Sequence, residues 1–354
     1  MKIKPYTLVF TAALLATAGA TGEFRTFLST DGNTIRAKVI KVSDNKVQVI
    51  REDGKNFIFP IDRLSDTDQE YLEAWKPDTT KLGDDPASKY HPSLYPRSKK
   101  EIKAGIKAIF DRDTANTSFS KEENEALAVM NTYRFLSGIP SDVKLDKNHN
   151  AIAREAAEGC ASIGRLSHGV NSAAGKCNLH QGQSSLAGSV HSYMDDHGDN
   201  NRARRGHRKW NLTARIGKMG IAAADGGRFM GQYVFDKSGK KNFSPKGGFH
   251  AYPGPGLYPI EYFKSNGWSL YPQGKIPSKS DLKIRCFKLT KRPAKPLATY
   301  AVPDHSREID ISYIATEGSI VFEPDTKPES GHIYYITARG GGLSIAYLVE
   351  FIKI

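Results

Sequence analysis

The residues best placed to do chemistry are two histidines, each at the edge of a predicted regular element. His207 lies in Gly-His-Arg-Lys-Trp-Asn-Leu, residues 206–212, before a strand-like run that begins at Ile216. His168 ends the sequence Leu166-Ser167-His168, where a helical pattern stops. Two imidazoles that meet in one cleft act as metal ligands, as acid–base groups or as hydrogen-bonded structural residues. All three roles remain open from these residues alone.

The N-terminus has the pattern of a secretory signal. Lys2 and Lys4 precede an apolar run from Leu8 to Ala18, and Ala18-Gly19-Ala20 is a small-residue cleavage site. This run is shorter than the ~20 apolar residues that span a bilayer. We therefore expect no transmembrane segment. We expect a secreted, periplasmic or cell-envelope protein after cleavage near Ala20.

The formal net charge is +13, and loss of the two signal lysines leaves +11. Such a charge favours an anionic partner in the envelope or medium. A solvated basic face is the alternative. A nucleic-acid partner is not expected, because the chain is exported and carries no recognition motif for nucleic acid. The densest basic cluster surrounds His207 and comprises Arg202, Arg204, Arg205, Arg208 and Lys209.

Three cysteines are present, and export permits disulfides. Cys160 and Cys177 enclose the segment that contains His168, and we predict a disulfide between them, which would tether this loop to the preceding helix. The alternative is a pair of reduced, buried thiols. Cys286 lies in an alternating strand-like run.

The chain divides into five segments. Residues 1–20 are the signal peptide, and residues 21–76 are a small β module closed by a helix that Ser65 caps. Residues 77–120 are a Pro-rich linker with a short helix from Lys99 to Phe110. Residues 121–248 form the central domain, and residues 249–354 form a Pro/Gly segment with a β-rich tail.

The central domain alternates helical and strand patterns, which predicts an α+β fold. We predict helices at 125–136, 145–163 and 189–196, and strands at 216–223 and 228–235. Helices on both faces of a small sheet would bury the apolar side of each element. The tail strands, at 282–289, 309–314, 319–322, 333–338 and 346–352, predict an antiparallel sandwich.

The order of these segments resembles the CAP superfamily of cysteine-rich secretory proteins, antigen 5 and pathogenesis-related proteins. The resemblance rests on Tyr133-Arg134, Leu166-Ser167-His168, Gly206-His207-Arg208 and the strand that begins Ile216-Gly217-Lys218. The tail is similar to a bacterial branch, through Trp268-Ser269 and Tyr347-Leu348-Val349-Glu350-Phe351. Residues 21–76 resemble the SH3-like Sla homology domain, through Asp31-Gly32 and Asp53-Gly54-Lys55 among others.

The resemblance implies an α-β-α sandwich, preceded here by an SH3-like barrel, with two histidines and two acidic residues in a cleft. His168 and His207 match the histidines, and Asp196 stands where the second acid lies. Ser184 replaces the first acid, which weakens the case for Zn²⁺ because a zinc site needs three or four good ligands. Ser184 and Arg208 would line the cleft. Two interpretations remain open. In one, Zn²⁺ is held by His168, His207 and Asp196, and in the other the histidines have a purely structural role.

Three functions follow as hypotheses. The first is a non-enzymatic binding module for a glycan, lipid or protein outside the cell, and the alternative is a metal-dependent hydrolase at the two-histidine cleft. The third is an architectural protein recruited by the SH3-like module. A serine triad is disfavoured, because no Gly-x-Ser-x-Gly elbow surrounds Ser184 or Ser167. We expect His180 to be a surface or loop residue and Trp210 to lie in the core or at a seam.

Overall fold

The structure is a computed structural model that describes residues 24–43, 45–51, 53, 55–75, 94–264, 267–299 and 301–354. Residues 1–89 and 90–354 form two compact units. The predicted signal peptide and the Pro-rich part of the predicted linker, residues 77–93, lie outside the described residues. Of the helices in the described ranges, none has the length and apolar character that crossing a bilayer requires.

The first unit is a four-stranded antiparallel sheet with one helix. Its strands β1 (Arg25–Leu28), β2 (Thr34–Ser43), β3 (Lys46–Arg51) and β4 (Asn56–Pro60) follow one another in the sheet. Alternation along β3 buries Val47 and Val49 against Phe27. Ser65 caps helix α1 (Asp66–Ala74) as predicted, accepting a hydrogen bond from the Asp68 N–H. The sheet is open over the ranges that the structure describes, so an SH3-like barrel stays a prediction.

The second unit begins with two helices that pack together, α2 (Lys99–Thr114) and α3 (Lys121–Leu136). Both start with a capping box, in which a serine and a glutamate satisfy each other's backbone N–H groups. Gly105 of α2 lies against the Phe135 ring, where a β-carbon would overlap the ring. The helix was predicted to end at Phe110 and is one turn longer. It belongs to the second unit and not to a linker.

The central sheet has helices on both faces, as predicted. Met219 and Ile221 share a core with Met130 of α3, whereas Gly220 lies against the main chain of the helix Lys147–Ser162, where a β-carbon would overlap it. The elements, in chain order, are β5 (Lys144–Leu145), α4 (Lys147–Ser162), β6 (Cys177–Gln181), α5 (Leu186–Asp195), α6 (Gly206–Asn211), β7 (Lys218–Ala224) and β8 (Phe229–Tyr233), and the sheet order is β5-β7-β8-β6.

The tail consists of two sheets. Their strands are β9 (Phe249–Tyr252), β10 (Gly256–Pro259), β11 (Trp268–Pro272), β12 (Lys283–Leu289), β13 (Ser306–Ile309), β14 (Ile311–Ala315), β15 (Ile320–Pro324), β16 (Ile333–Gly340) and β17 (Leu343–Ile352). One sheet has the order β14-β15-β11-β9 and the other β10-β17-β16-β12-β13.

An aromatic core joins the two tail sheets. Trp268 of the first sheet is fully buried, and its ring lies 5.7 Å from Tyr334 and 6.0 Å from Phe351 of the second, measured between centroids. Aromatic pairs at this spacing stabilise a core beyond the area that they bury. The predicted antiparallel arrangement needs one correction, because β10 and β17 are parallel. Residues 260–342 lie between β10 and β17 in the sequence, and a parallel pair of strands needs such a long connection instead of a tight hairpin.

Candidate functional site

A buried carboxylate fixes the position of His207. Asp196 ends α5 in the left-handed conformation, with φ of 49°, and its side chain is 1% exposed. Its Oδ1 lies 3.0 Å from His207 Nδ1, and its Oδ2 accepts from the backbone N–H of His207 at 3.0 Å. A carboxylate acceptor places the proton on Nδ1, which leaves Nε2 as the nitrogen for a ligand.

His180 lies beside this pair and was not predicted to be part of the site. The Tyr193 ring lies next to both imidazoles, with its centroid 6.3 Å from His180 and 5.3 Å from His207. Burial lowers the pKa of His180 below its ordinary value, and the charge of His207 lowers it further. The two-residue period of β6 was the available signal, because it places His180 on the same face as Asn178. The Asn178 amide donates to the His207 carbonyl oxygen at 3.4 Å.

His168 is held by its own loop. Its Nδ1 lies 2.9 Å from the Ala174 carbonyl oxygen. Within the described residues, no hydrogen bond or ion pair joins His168 to Asp196 or His207. Ser184 donates to the Ser185 carbonyl oxygen at 3.1 Å, just before α5. Of the predicted site residues, the structure therefore brings Asp196 and His207 together.

Arg208, which was predicted to line the cleft, has a fully buried side chain. It is 0% exposed and donates to the carbonyl oxygens of Met194 at 2.6 Å and Gly267 at 2.7 Å. It also donates to the Ser269 hydroxyl at 2.7 Å and stands over the Tyr252 ring. Arg208 thus joins the end of α5 to the first tail sheet, a role that its position next to His207 in the sequence did not predict.

The basic cluster around His207 is largely paired with acids of the tail. Glu323 accepts from Arg205 at 2.6 Å and from Arg202 at 2.7 Å, and Glu317 accepts from Arg204 at 2.7 Å. Arg205 is 3% exposed and also donates to the Asp196 carbonyl oxygen. The cluster therefore serves mainly to hold the tail near Asp196, and its charge is partly neutralised within the chain.

The predicted disulfide between Cys160 and Cys177 is wrong. Both residues and Cys286 are free and buried. Cys160 and Cys177 belong to one apolar cluster with Leu179, and the Cys160 thiol points to the Ser167 carbonyl oxygen at 3.9 Å. Burial raises the pKa of Cys177 to about 12, so this thiol stays protonated at neutral pH and is a poor nucleophile.

The site does not present the ligands of a closed zinc centre. Within the part of the chain that the structure describes, no group of three or more His, Cys, Asp or Glu side chains is arranged to hold a metal ion. Asp196 directs one oxygen to the His207 ring and the other to backbone N–H groups, which is the geometry of an orienting partner.

Comparison with known proteins gives a match over this part of the chain. Residues 127–235 match the family model described as CAP, the cysteine-rich secretory protein family. No curated protein matches the chain. The matched residues include the last ten residues of α3, all of α4, the central sheet and both partners of the Asp196–His207 pair. Residues 127–235 are therefore similar to the CAP family, and the site around His207 lies within this match.

Proposed function

We propose that this chain is an exported binding protein whose CAP domain takes a neutral glycan at His207. A CAP domain is typical of extracellular proteins of the binding type. The observation that carries the proposal is the hydrogen bond that His207 Nδ1 donates to the Asp196 carboxylate, which holds the ring in one orientation and leaves Nε2 for a ligand hydroxyl. His180, whose lowered pKa keeps it neutral at neutral pH, is a second imidazole that can donate or accept.

An exposed aromatic pair supports a sugar ligand. Trp210 is 41% exposed and Phe235 is 40% exposed, and their ring centroids are 4.7 Å apart. The prediction that Trp210 is a core or seam residue is therefore wrong. Trp210 lies three residues after His207 on α6, and this spacing puts the two side chains on one side of the helix. An aromatic surface beside polar hydrogen-bonding groups suits the apolar face and the hydroxyls of a sugar ring.

The proposal predicts that Trp210→Ala weakens binding of a neutral oligosaccharide. If a sugar ring covers about 60 Å² of aromatic surface at roughly 25 cal/mol/Å², the loss is about 1.5 kcal/mol, or about tenfold in Kd. Isothermal titration calorimetry of the full chain with chitohexaose and with cellohexaose measures this change in Kd. His207→Ala should reduce affinity as well, because it removes the Nε2 atom that hydrogen-bonds the sugar hydroxyl.

Ile163→Ala is the matched control, because Ile163 is an apolar residue of the same domain and is 43% exposed. It should bind as the wild type does. Failure of both oligosaccharides to bind, or equal affinity of Trp210→Ala and the wild type, would refute glycan binding at this position.

The second candidate is a metal-dependent hydrolase that uses His168 and His207. The Asp196–His207 bond favours it, because metal-ligating imidazoles usually donate their other nitrogen to such a partner. We expect the chain to act as a binding protein instead. Elemental analysis should therefore find well below one zinc ion per purified chain. Stoichiometric zinc that is lost in both His168→Ala and His207→Ala would favour the hydrolase.

We also infer that residues 24–75 are an SH3-like module that recruits the chain to a neighbour. The support is the antiparallel order of four short strands, the buried core around Phe27, and a bridge between Ser29 and Leu64.

A further inference from the structure

A lysine-rich loop continues the chain directly from the exposed aromatic pair. This basic loop, residues 235–248, begins at Phe235 and lies between β8 and β9. Its one acidic residue is Asp236. Its four lysines are all exposed, and they are Lys237, Lys240, Lys241 and Lys246. Basic residues gathered on a surface attract anionic ligands.

Backbone hydrogen bonds hold the start of the basic loop in place. The Asp236 Oδ2 atom accepts from the backbone N–H groups of Gly217 at 2.8 Å and Lys218 at 2.9 Å, where β7 begins. The Gly239 N–H donates to the Arg215 carbonyl oxygen at 2.8 Å. The loop is therefore tied to the start of a central strand. A preformed loop reduces the ordering that binding would otherwise require.

The first lysine of the loop stands close to the aromatic pair. Asp236 is half-buried, whereas its neighbours Phe235 and Lys237 are both exposed. Two residues of chain span at most about 7 Å, which limits the distance between the α-carbons of Phe235 and Lys237. A sugar ring that lies on Trp210 and Phe235 would thus have a cation beside its next sugar unit.

The positive charge of the basic loop is only partly neutralised. Lys240 lies 3.7 Å from the Asp142 carboxylate, and both side chains are 64% exposed, so water and salt weaken this pair. Within the residues that the structure describes, no ion pair involves the other three lysines of the loop. Four lysines against Asp236 and Asp142 leave a formal excess of two positive charges.

The loop suits a water-soluble anion better than a lipid surface. Its second aromatic residue, Phe243, is half-buried and packs against the main core. A segment that inserts into a lipid surface exposes its apolar side chains instead. An ammonium group only donates hydrogen bonds, so its complement is an acceptor that carries negative charge, such as a carboxylate.

We propose that the glycan bound at His207 carries a carboxylate on the sugar unit next to the neutral ring that Trp210 covers, and that the lysines of the basic loop hold this carboxylate. The inference rests on the proposed glycan binding and names the class of glycan, a chain that contains sugar acids. The neutral ring supplies the face that stacks on Trp210. The carboxylate supplies a charge that exposed lysines attract, and salt weakens this attraction.

Isothermal titration calorimetry of the full chain tests the inference with matched sugars. Chitohexaose and cellohexaose are each compared with a counterpart in which the C6 hydroxymethyl groups are oxidised to carboxylates. Each pair keeps its rings and linkages and differs in charge. At low ionic strength the oxidised sugar should bind about tenfold more tightly than its parent. In 1 M salt, where the Debye length is ~3 Å, the difference should disappear.

Two double variants locate the effect. Lys237→Gln/Lys241→Gln should lose the preference for the oxidised sugar and bind the neutral parent as the wild type does. Lys100→Gln/Lys103→Gln removes two exposed lysines of α2 and lowers the net charge equally, so it should keep the preference. The same loss in both double variants would show a general effect of net charge and overturn the inference.

The wild type distinguishes this inference from the proposed function on which it rests. If a parent sugar and its oxidised counterpart bind equally, the acidic glycan is refuted and glycan binding at Trp210 stands. If none of the four sugars binds, both are refuted.

Sedimentation with phosphatidylglycerol vesicles in 0.15 M salt tests the competing ligand. We expect the wild type to stay in the supernatant. Capture by the vesicles that Lys237→Gln/Lys241→Gln abolishes, together with no gain for the oxidised sugars, would assign the basic loop to a lipid surface.

Discussion

Arg208→Met should lower the free energy of unfolding by about 3–5 kcal/mol, because it strips donors from several buried acceptors at once. Methionine keeps much of the side-chain volume, so the loss reports hydrogen bonds more than a cavity. The carbonyl oxygens of Met194 and Gly267 and the hydroxyl of Ser269 would each lose the guanidinium. Urea unfolding followed by circular dichroism measures the difference.

Lys209→Ala is the control for Arg208→Met, since Lys209 is the next residue of α6 and is exposed. We expect it to change stability by less than about 0.5 kcal/mol, as is usual for surface substitutions. If Arg208→Met were as stable as Lys209→Ala, the guanidinium would not be the link between α5 and the tail.

Acid should destabilise the second unit through His250. This residue of β9 stacks on Tyr271 with centroids 4.7 Å apart, and burial lowers its pKa from 6.5 to about 4. The unfolded chain takes up the proton more readily than the folded chain does. The contribution of neutral His250 to the free energy of unfolding is therefore complete above pH 6.5 and is lost as pH falls from 6.5 towards 4. Between pH 7.5 and 4.5 the loss is roughly 2.5 kcal/mol.

His250→Phe separates this effect from other acid-sensitive groups. Phenylalanine retains the stack on Tyr271 and cannot take up a proton, so the variant should lose about 2.5 kcal/mol less than the wild type over the same pH range. His305→Phe, at an exposed histidine before β13, is the control and should show the wild-type dependence. Parallel stability curves for His250→Phe and the wild type would rule out His250 as the acid-sensitive group.

Local patterns in the sequence predicted most elements of the fold. The second central helix was predicted over residues 145–163 and runs from Lys147 to Ser162, because Asp146 caps it by accepting two backbone N–H bonds. The next helix was predicted from Ser189 and begins at Leu186, after its cap at Ser185. Both differences arise because apolar periodicity marks the middle of a helix, whereas a polar cap fixes its first residue.

The site was predicted less completely than the fold. The resemblance identified His207 and Asp196, but it did not indicate how they are bonded. One Asp196 oxygen accepts from the His207 ring, and the other accepts from the backbone N–H of His207 at the start of α6. Glu323 is 118 residues from Arg205, and no local pattern connects positions so far apart. The thiols of Cys160 and Cys177 were predicted to form a bridge, because composition and compartment do not show the direction in which a side chain points.

The contacts of Arg205 and Arg208 with the tail also bear on how such a chain can be inherited. Recombination at the edges of the family match, residues 127–235, would separate these arginines from Glu323, Gly267 and Ser269. A transplanted domain would carry two buried cations that had lost part of their acceptors, and the remaining tail would keep acceptors without these donors. Selection should therefore pass the matched region and the tail on together.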